Sequence, residues 1–182
     1  MSGRAASAAT VTALVALSLA ACARREPPPP AKPPPRPEVT APSAPLPAPQ
    51  SYITVASSID RMMIRGAELA QARAGDPRLR DFAAQVGRDH RSISAQLSFA
   101  GRRLNQLPMG RLLDNHAERL ARLETSSDFD SAYRGEMRRS LAAAYEYHDR
   151  YATRGDSPTL RPVARYAADL IARNLERLRS LR

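Results

Sequence analysis

The sequence predicts an all-α protein, an antiparallel four-helix bundle with one additional short helix. From Ser51 onward, apolar residues recur with the three- and four-residue spacing of amphipathic helices. Ala, Leu, Arg and Glu, which favour helices, dominate the second half of the chain. Only 5% of the 182 residues are aromatic, and there are also few β-branched residues. Both observations argue against a β-sandwich.

Short polar breaks divide this half of the chain into five predicted helices. Gly75-Asp76-Pro77 combines a residue that ends helices with an N-cap Asp and a Pro suited to the first helical turn. Gly155-Asp156-Ser157-Pro158 repeats this arrangement, and Pro108 and Thr125–Asp128 mark the other boundaries. The first predicted helix covers residues 52–74, the second runs to about residue 104, a short third carries Leu112–Leu123, the fourth runs to about Thr153, and the last ends near the C-terminus.

The apolar stripes of these helices include three histidines, which are the candidate metal ligands. Imidazoles that converge inside a bundle can bind a metal. However, the chain contains no Glu-x-x-His motif, which di-metal bundles use. The acidic residue next to each histidine, or two away, points to another face of the helix. The sequence therefore predicts no metal site and no cofactor, and the candidates, should a site exist, are His90, His116 and His148.

No motif for catalysis is present in the chain. It has no Gly-x-Ser-x-Gly, no Gly-rich phosphate loop and no His-Glu-x-x-His. The sequence therefore predicts a protein that is not an enzyme and has no catalytic residues.

The N-terminal 21 residues are typical of an export signal. Arg4 supplies a positive start, and Val11–Ala21 is an uncharged, mostly apolar stretch of 11 residues. A membrane-spanning helix needs about 20 apolar residues, so this stretch is too short to be one. It ends in Leu19-Ala20-Ala21-Cys22, which resembles a bacterial lipoprotein signal. In such signals the thiol accepts a diacylglyceryl group and a peptidase cuts just before the Cys; the alternative is an ordinary secretory signal with an incidental Cys.

Lipidation at Cys22 predicts a protein of the bacterial cell envelope that faces the periplasm. Cys22 is the only cysteine, which excludes an intrachain disulfide. Several acyl chains on one residue give stable membrane anchoring. Ala23, rather than Asp, follows the Cys and favours the outer membrane.

A proline-rich linker follows the predicted anchor. Glu26–Gln50 contains 12 of the 16 prolines. Proline lacks a backbone N–H and has a fixed φ, so this segment can form neither a helix nor a central strand. A polyproline-II spacer of this length would reach roughly 75–80 Å. We therefore expect a signal peptide over 1–21, a lipidated Cys and linker over 22–50, and a helical domain over 51–182.

The positive charge of the chain resides mainly in the helical domain. Residues 51–182 hold 23 arginines, no lysine and 16 acidic residues, a net charge of +7 within a total of +10. Such a surface attracts polyanions. The predicted partners are the membrane, through Cys22, and either anionic envelope polymers or another envelope protein. Export argues against nucleic acid as a partner.

Two segments of the domain resemble a known family. The sequence PRLRDFAAQVGRDHRSISAQL at Pro77–Leu97, combined with FDSAY at Phe129–Tyr133, is similar to bacterial outer-membrane or periplasmic proteins of unknown function. The resemblance covers about Ile53–Leu181 and implies a ferritin-like four-helix bundle.

The resemblance also implies a set of polar positions, most of which are changed in this chain. Relatives often carry a Glu in the first helix, a His about two turns after the Tyr, and a His in the last helix. These positions hold Met63, Leu141 and Asn174 here, so only His90 remains of that set. The leading expectation is therefore a non-enzymatic interaction or structural domain on a lipid anchor. The alternative is a metal-binding or redox bundle that uses the core histidines.

The substitution Cys22→Ser tests the anchor. Because a serine hydroxyl does not replace the thiol in lipid attachment, the variant should carry no acyl chain and should be either uncut or cut elsewhere. Intact-mass spectrometry of membrane-extracted protein measures both properties. A wild-type chain that starts at another residue and carries no acyl mass would contradict the prediction.

Overall fold

The computed structural model describes residues 46–181, which form five helices and no strand. The helices are α1 (Pro49–Arg73), α2 (Pro77–Arg103), α3 (Asp114–Glu124), α4 (Phe129–Arg154) and α5 (Arg161–Ser180). The all-α fold class is therefore confirmed. The predicted signal peptide, Cys22 and the linker up to residue 45 lie outside the described residues. No helix within residues 46–181 is both long and apolar enough to cross a bilayer.

The four long helices form the bundle, and α3 packs against its side. α1 contacts α2 and α4, and α5 contacts the same two helices from the opposite side. The start of α1 packs against the ends of α2 and α4 and the start of α5. α1 is therefore antiparallel to α2 and α4, and so is α5. Because α2 and α4 run in the same direction, residues 104–128 must return along the bundle, and α3 forms the middle of this crossover.

Side-chain caps hold the turn between α1 and α2. The Asp76 carboxylate accepts the N–H of Arg78 at 2.9 Å, and Pro77 occupies the first turn of α2, as the sequence predicts. The carboxylate of Asp130 accepts the N–H groups of Gly75 and Asp76 at 3.0 and 2.9 Å. This turn is thereby tied to the first turn of α4.

Three helix boundaries differ from the prediction. α1 begins at Pro49 rather than at residue 52, so the last two residues of the predicted linker, Pro49 and Gln50, are helical. Proline is tolerated in a first turn because the N–H groups there have no partner within the helix. α3 begins only at Asp114. Residues 157–160 form a separate turn, in which Ser157 accepts the N–H of Leu160, so α5 begins at Arg161.

The bundle interior contains two apolar clusters. The larger one is formed by all five helices, and α1 contributes Ile59, Met63, Ala67 and Ala70 to it, among others, with the spacing of an amphipathic helix. The smaller one lies at the end where α1 begins and is built around Tyr52, Leu97, Tyr151 and Leu160. Polar side chains are buried between these clusters, and the candidate site is among them.

Gly101 allows the last turn of α2 to approach the crossover. A Cβ atom at this position would lie 2.3 Å from the carbonyl oxygen of Gln106, whose N–H bonds back to Gly101 at 2.8 Å. Because backbone must move to admit a methyl group, Gly101→Ala should destabilise the fold by about 1–3 kcal/mol. Urea denaturation measures this change.

Gly110→Ala is the matched control for Gly101→Ala. A Cβ at Gly110 meets no atom within 4 Å, so its effect should stay within about 0.5 kcal/mol. Equal effects for the two variants would contradict the close approach at Gly101.

Candidate functional site

A fully buried hydrogen bond joins α1 to α2. His90 Nδ1 lies 2.8 Å from Asp60 Oδ1, and neither side chain is exposed. His90 occupies the predicted stripe of α2, between Val86 and Ile93, and all of these residues are buried. Asp60 lies between Ala56 and Met63 on the buried side of α1. The pair is thus held within the core by the apolar residues on either side of it.

A second buried contact joins α1 to α4. The hydroxyl of Tyr52 lies 2.8 Å from His148 Nδ1, and both residues are fully buried. The Tyr52 ring stacks on Tyr151, with centroids 3.9 Å apart, and on Tyr147 at 5.5 Å. These stacked rings fix the position of the hydroxyl, and the hydroxyl in turn fixes the orientation of the His148 ring.

Burial controls the protonation of these groups. Desolvation, with a smaller contribution from nearby His90, lowers the pKa of His148 to about 3. Desolvation also raises the pKa of Asp60, against the opposing effect of the hydrogen bond from His90. Burial, followed by Tyr147 and Asp60, raises the pKa of Tyr52 far above its usual range. His148 is therefore a neutral imidazole at neutral pH, and Tyr52 is a neutral phenol.

Three buried atoms of this cluster have no hydrogen-bond partner within residues 46–181. They are Asp60 Oδ2, His90 Nε2 and His148 Nε2. Both rings use Nδ1 for a hydrogen bond, so Nε2 is the free nitrogen in each. His90 and His148 lie close enough for the charge of one to affect the pKa of the other. We name Asp60, His90, His148 and Tyr52 the core polar cluster.

The core polar cluster is not a complete metal site as its side chains stand. Within the described part of the chain, no three His, Cys, Asp or Glu side chains are arranged to bind an ion together. The unpartnered atoms are nevertheless metal-ligand types, because imidazole nitrogen and carboxylate oxygen both bind transition metals. Binding would require a side-chain adjustment or additional ligands.

The remaining candidate histidine, His116, lies elsewhere. Its Nδ1 is 2.7 Å from the Ser58 hydroxyl, which also accepts the N–H of Leu113 at 2.8 Å. It lines a cleft of about 200 Å³ between α1, α3 and α4, where burial and Arg119 lower its pKa. His116 therefore fixes the start of α3 on α1. The structure brings His90 and His148 together and leaves His116 apart from them.

Asn174, the polar residue on the stripe of α5, belongs to a fully bonded network. Its amide donates to Asp89 Oδ2 at 3.0 Å and its carbonyl accepts from Arg177 at 3.2 Å. Gln85 donates to the other Asp89 oxygen at 2.8 Å. Every polar group of this network has a partner, so its role is to join α2 to α5.

Sequence reasoning missed Asp60 and Tyr52. The family resemblance implies an acidic residue at Met63, but Met63 is a buried apolar residue and the carboxylate lies one turn earlier. The spacing of the buried residues in α1 could have identified Asp60. Asp60 follows Ala56 by four residues and precedes Met63 by three, so a carboxylate occupies a core position of α1.

Comparison with known proteins identifies the family of the chain. Residues 34–181 match the family described as a domain of unknown function, DUF4142. The chain belongs to this family. The match includes all five helices and part of the proline-rich linker. No curated protein matches the chain closely enough to count as a relative.

Two solved structures share the fold of this DUF4142 domain. CopM in the Cu(II)-bound form has a TM-score of 0.63 and 17% identity, over 74% of this chain and 95% of that chain. CopM in the Cu(I)-bound form has a TM-score of 0.61 and the same 17% identity, over 73% and 94%. At this identity, the likeness shows the fold alone.

The depressed pKa of His148 predicts a pH-dependent stability. Its pKa falls from 6.5 to about 3 on folding, so between these values the unfolded chain binds a proton that the folded chain does not. Stability should therefore fall with decreasing pH, by up to about 1.4 kcal/mol per pH unit from this group. Denaturant unfolding between pH 7 and pH 4 should show a flatter slope for His148→Gln than for the wild type.

The variant comparison isolates the contribution of His148. The pKa of Asp60 is raised on folding, so the contribution of Asp60 to the pH dependence of stability has the opposite sign. The stability that it contributes is lost as the pH rises through its pKa in the folded chain. Both proteins contain Asp60, so their difference in slope reports residue 148. Equal slopes would show that His148 binds its proton as readily in the folded chain as in the unfolded one.

Proposed function

We propose that this chain is a non-enzymatic, metal-binding helical domain of the cell envelope, and that copper is the metal its core favours. One observation carries the proposal. Three unpartnered, buried atoms of metal-ligand type belong to one cluster: Asp60 Oδ2, His90 Nε2 and His148 Nε2. Buried polar groups in native proteins almost always have partners, so such a group requires an explanation.

The orientation of His90 is typical of a metal ligand. Metal-bound histidines commonly donate their second N–H to a carboxylate, which fixes the ring and makes the free nitrogen more basic. The Asp60 carboxylate is placed to accept such an N–H bond from His90 Nδ1. In the metal-bound form, His148 Nδ1–H would donate to the Tyr52 oxygen in the same way. Because a ligand imidazole must be neutral, the lowered pKa of His148 also suits the role.

Copper follows from the donor set. Imidazole nitrogens suit zinc, copper, iron and nickel, and for a given nitrogen and oxygen site divalent copper binds most tightly. The two structures that share the fold are both copper-bound forms of CopM, which supports the same choice.

A purely structural role for the core polar cluster explains fewer of its features. The network of Asp89 and Asn174 in the same core leaves no buried side-chain nitrogen or oxygen without a partner. Tyr133, Tyr147 and Gln106 each have one unpartnered buried atom, but none of them is a histidine or carboxylate. A purely structural cluster would be expected to be satisfied, as the Asp89 network is.

The envelope part of the proposal rests on the sequence. The stretch ending in Leu19-Ala20-Ala21-Cys22 supports export and lipidation, with the domain held on the periplasmic side of the outer membrane through its linker. The absence of catalytic motifs supports binding rather than turnover.

Titration of the purified mature chain with Cu(II) tests the function. We expect one saturable equivalent, with nitrogen hyperfine structure in the electron paramagnetic resonance spectrum and a rise in Tm. His90→Ala and His148→Ala should each abolish this site. Asp60→Asn should keep the fold but weaken binding about 10–100-fold, because the ring loses its orienting charge.

His116→Ala is the matched control. It also removes a buried helix histidine, but one outside the core polar cluster, and should bind copper like the wild type. Circular dichroism establishes that each variant is folded. Binding that is lost in His116→Ala but retained in His90→Ala, or a wild type that binds no copper, would refute the proposal.

A further inference from the structure

The large apolar side chains that remain exposed are all found in one half of the bundle. Within residues 46–181 they are Phe99, Leu107, Tyr145 and Tyr166, with Leu107 64% and Phe99 56% exposed. Phe99 is near the end of α2, Leu107 follows it in the crossover, Tyr145 is in the second half of α4, and Tyr166 is in the second turn of α5. This half contains the start of α1, where the linker joins the domain.

The same region carries arginines without acidic partners. Arg102, Arg103, Arg161 and Arg165 are exposed, and none has an ion pair or side-chain hydrogen bond among the described residues. Arg102 and Arg103 follow Phe99 by three and four residues, so all three share one side of α2. We name Phe99, Arg102, Arg103, Leu107, Arg161 and Tyr166 the linker-end surface.

The two helices of the linker-end surface lie side by side. The hydroxyls of Ser92 and Tyr166 are 2.6 Å apart, which joins α2 to α5. Phe99 is two turns beyond Ser92 and therefore lies on the same side of α2. Most exposed acidic residues at this end of the domain, Glu146, Asp149 and Asp156, belong to α4 and the turn after it, and one, Asp169, belongs to α5. The side formed by α2 and α5 thus carries four exposed arginines against one aspartate, together with the exposed rings of Phe99 and Tyr166.

We propose that the linker-end surface docks onto an anionic phospholipid bilayer. Aromatic rings beside arginines are typical of protein segments that lie at the membrane interface. Arginines near an anionic surface each strengthen binding about fivefold, within a Debye length. The proposal rests on the anchor proposed at Cys22 only in so far as that anchor would keep the domain within reach of the bilayer.

A protein partner is the other class of occupant that such a surface could take. Interfaces between proteins also use aromatic residues and arginine, but they place them in a packed patch with a polar rim. Here the exposed apolar side chains of Phe99, Leu107 and Tyr166 are spread over α2, the crossover and α5, and the same elements carry arginines that have no acidic partner among the described residues. This arrangement fits a fluid, negatively charged surface better than a shaped one.

Vesicle binding by a chain that cannot be lipidated tests the proposal. The probe is the mature chain from residue 22 with Cys22→Ser, mixed with vesicles of equal parts phosphatidylethanolamine and phosphatidylglycerol. We expect it to co-sediment with these vesicles, to leave phosphatidylcholine vesicles unbound, and to be released by salt. Arg102→Glu with Arg103→Glu should weaken binding at least tenfold, and Phe99→Ser should weaken it severalfold.

Arg138→Glu with Arg173→Glu is the matched control. It changes the net charge equally, at exposed arginines in the other half of the bundle that also lack a partner among the described residues. Equal losses for the two double variants would show that net charge alone controls binding, and would overturn the docking surface. So would the absence of vesicle binding, or binding to purified peptidoglycan instead.

The outcomes separate this proposal from the anchor and from copper binding. Vesicle binding by the Cys22→Ser chain supports the docking surface even if the wild type proves to carry no acyl group. Copper binding at the core polar cluster does not involve the linker-end surface, so the charge-reversed variants should still bind one equivalent of copper.

Discussion

The hydrogen-bonded pair of Asp60 and His90 is the constraint to which the rest of the core conforms. Both side chains are withdrawn from water, and they meet at 2.8 Å across the α1–α2 interface. Removing one partner of a buried pair costs about 3–5 kcal/mol, because the other is left uncompensated. The two helices must therefore stay in close contact. Gly87 allows this close contact, because a Cβ atom at position 87 would lie only 3.2 Å from the Cβ atom of Ala67.

Polar contacts extend from this pair to the other long helices. Tyr52 and His148 join α1 to α4, and Asp89 and Asn174 join α2 to α5. Asp89 and His90 are adjacent in α2, so one turn of this helix supplies both the link to α1 and the link to α5. A bundle held by apolar stripes alone can shift its helices along one another, whereas these hydrogen bonds set the register of each pair.

Most of the fold could be predicted from the sequence, because it depends on local patterns. The spacing of the apolar residues predicts the four long helices and their buried faces, and Asp76 with Pro77 predicts the start of α2. The direction of the crossover could not be predicted, since it depends on which helices pack together. The site was only half predicted. Histidines on a stripe are visible, but their partners come from helices far away in sequence: 30 residues separate Asp60 from His90, and 96 separate Tyr52 from His148.

The free-energy cost of the core polar cluster bears directly on the proposed metal-binding role. An apolar trio of similar volume at positions 60, 90 and 148 would avoid the desolvation that drives the pKa of His148 down to about 3. The three unpartnered atoms of the cluster, Asp60 Oδ2, His90 Nε2 and His148 Nε2, are buried without gaining a hydrogen bond. Under the proposed function, a copper ion would bond to these atoms once the side chains had adjusted, and the free energy lost by burying them would then contribute to affinity for the ion. On that proposal, stability and metal binding would be coupled through the same atoms, so a variant that satisfies them without metal should gain stability and lose affinity together.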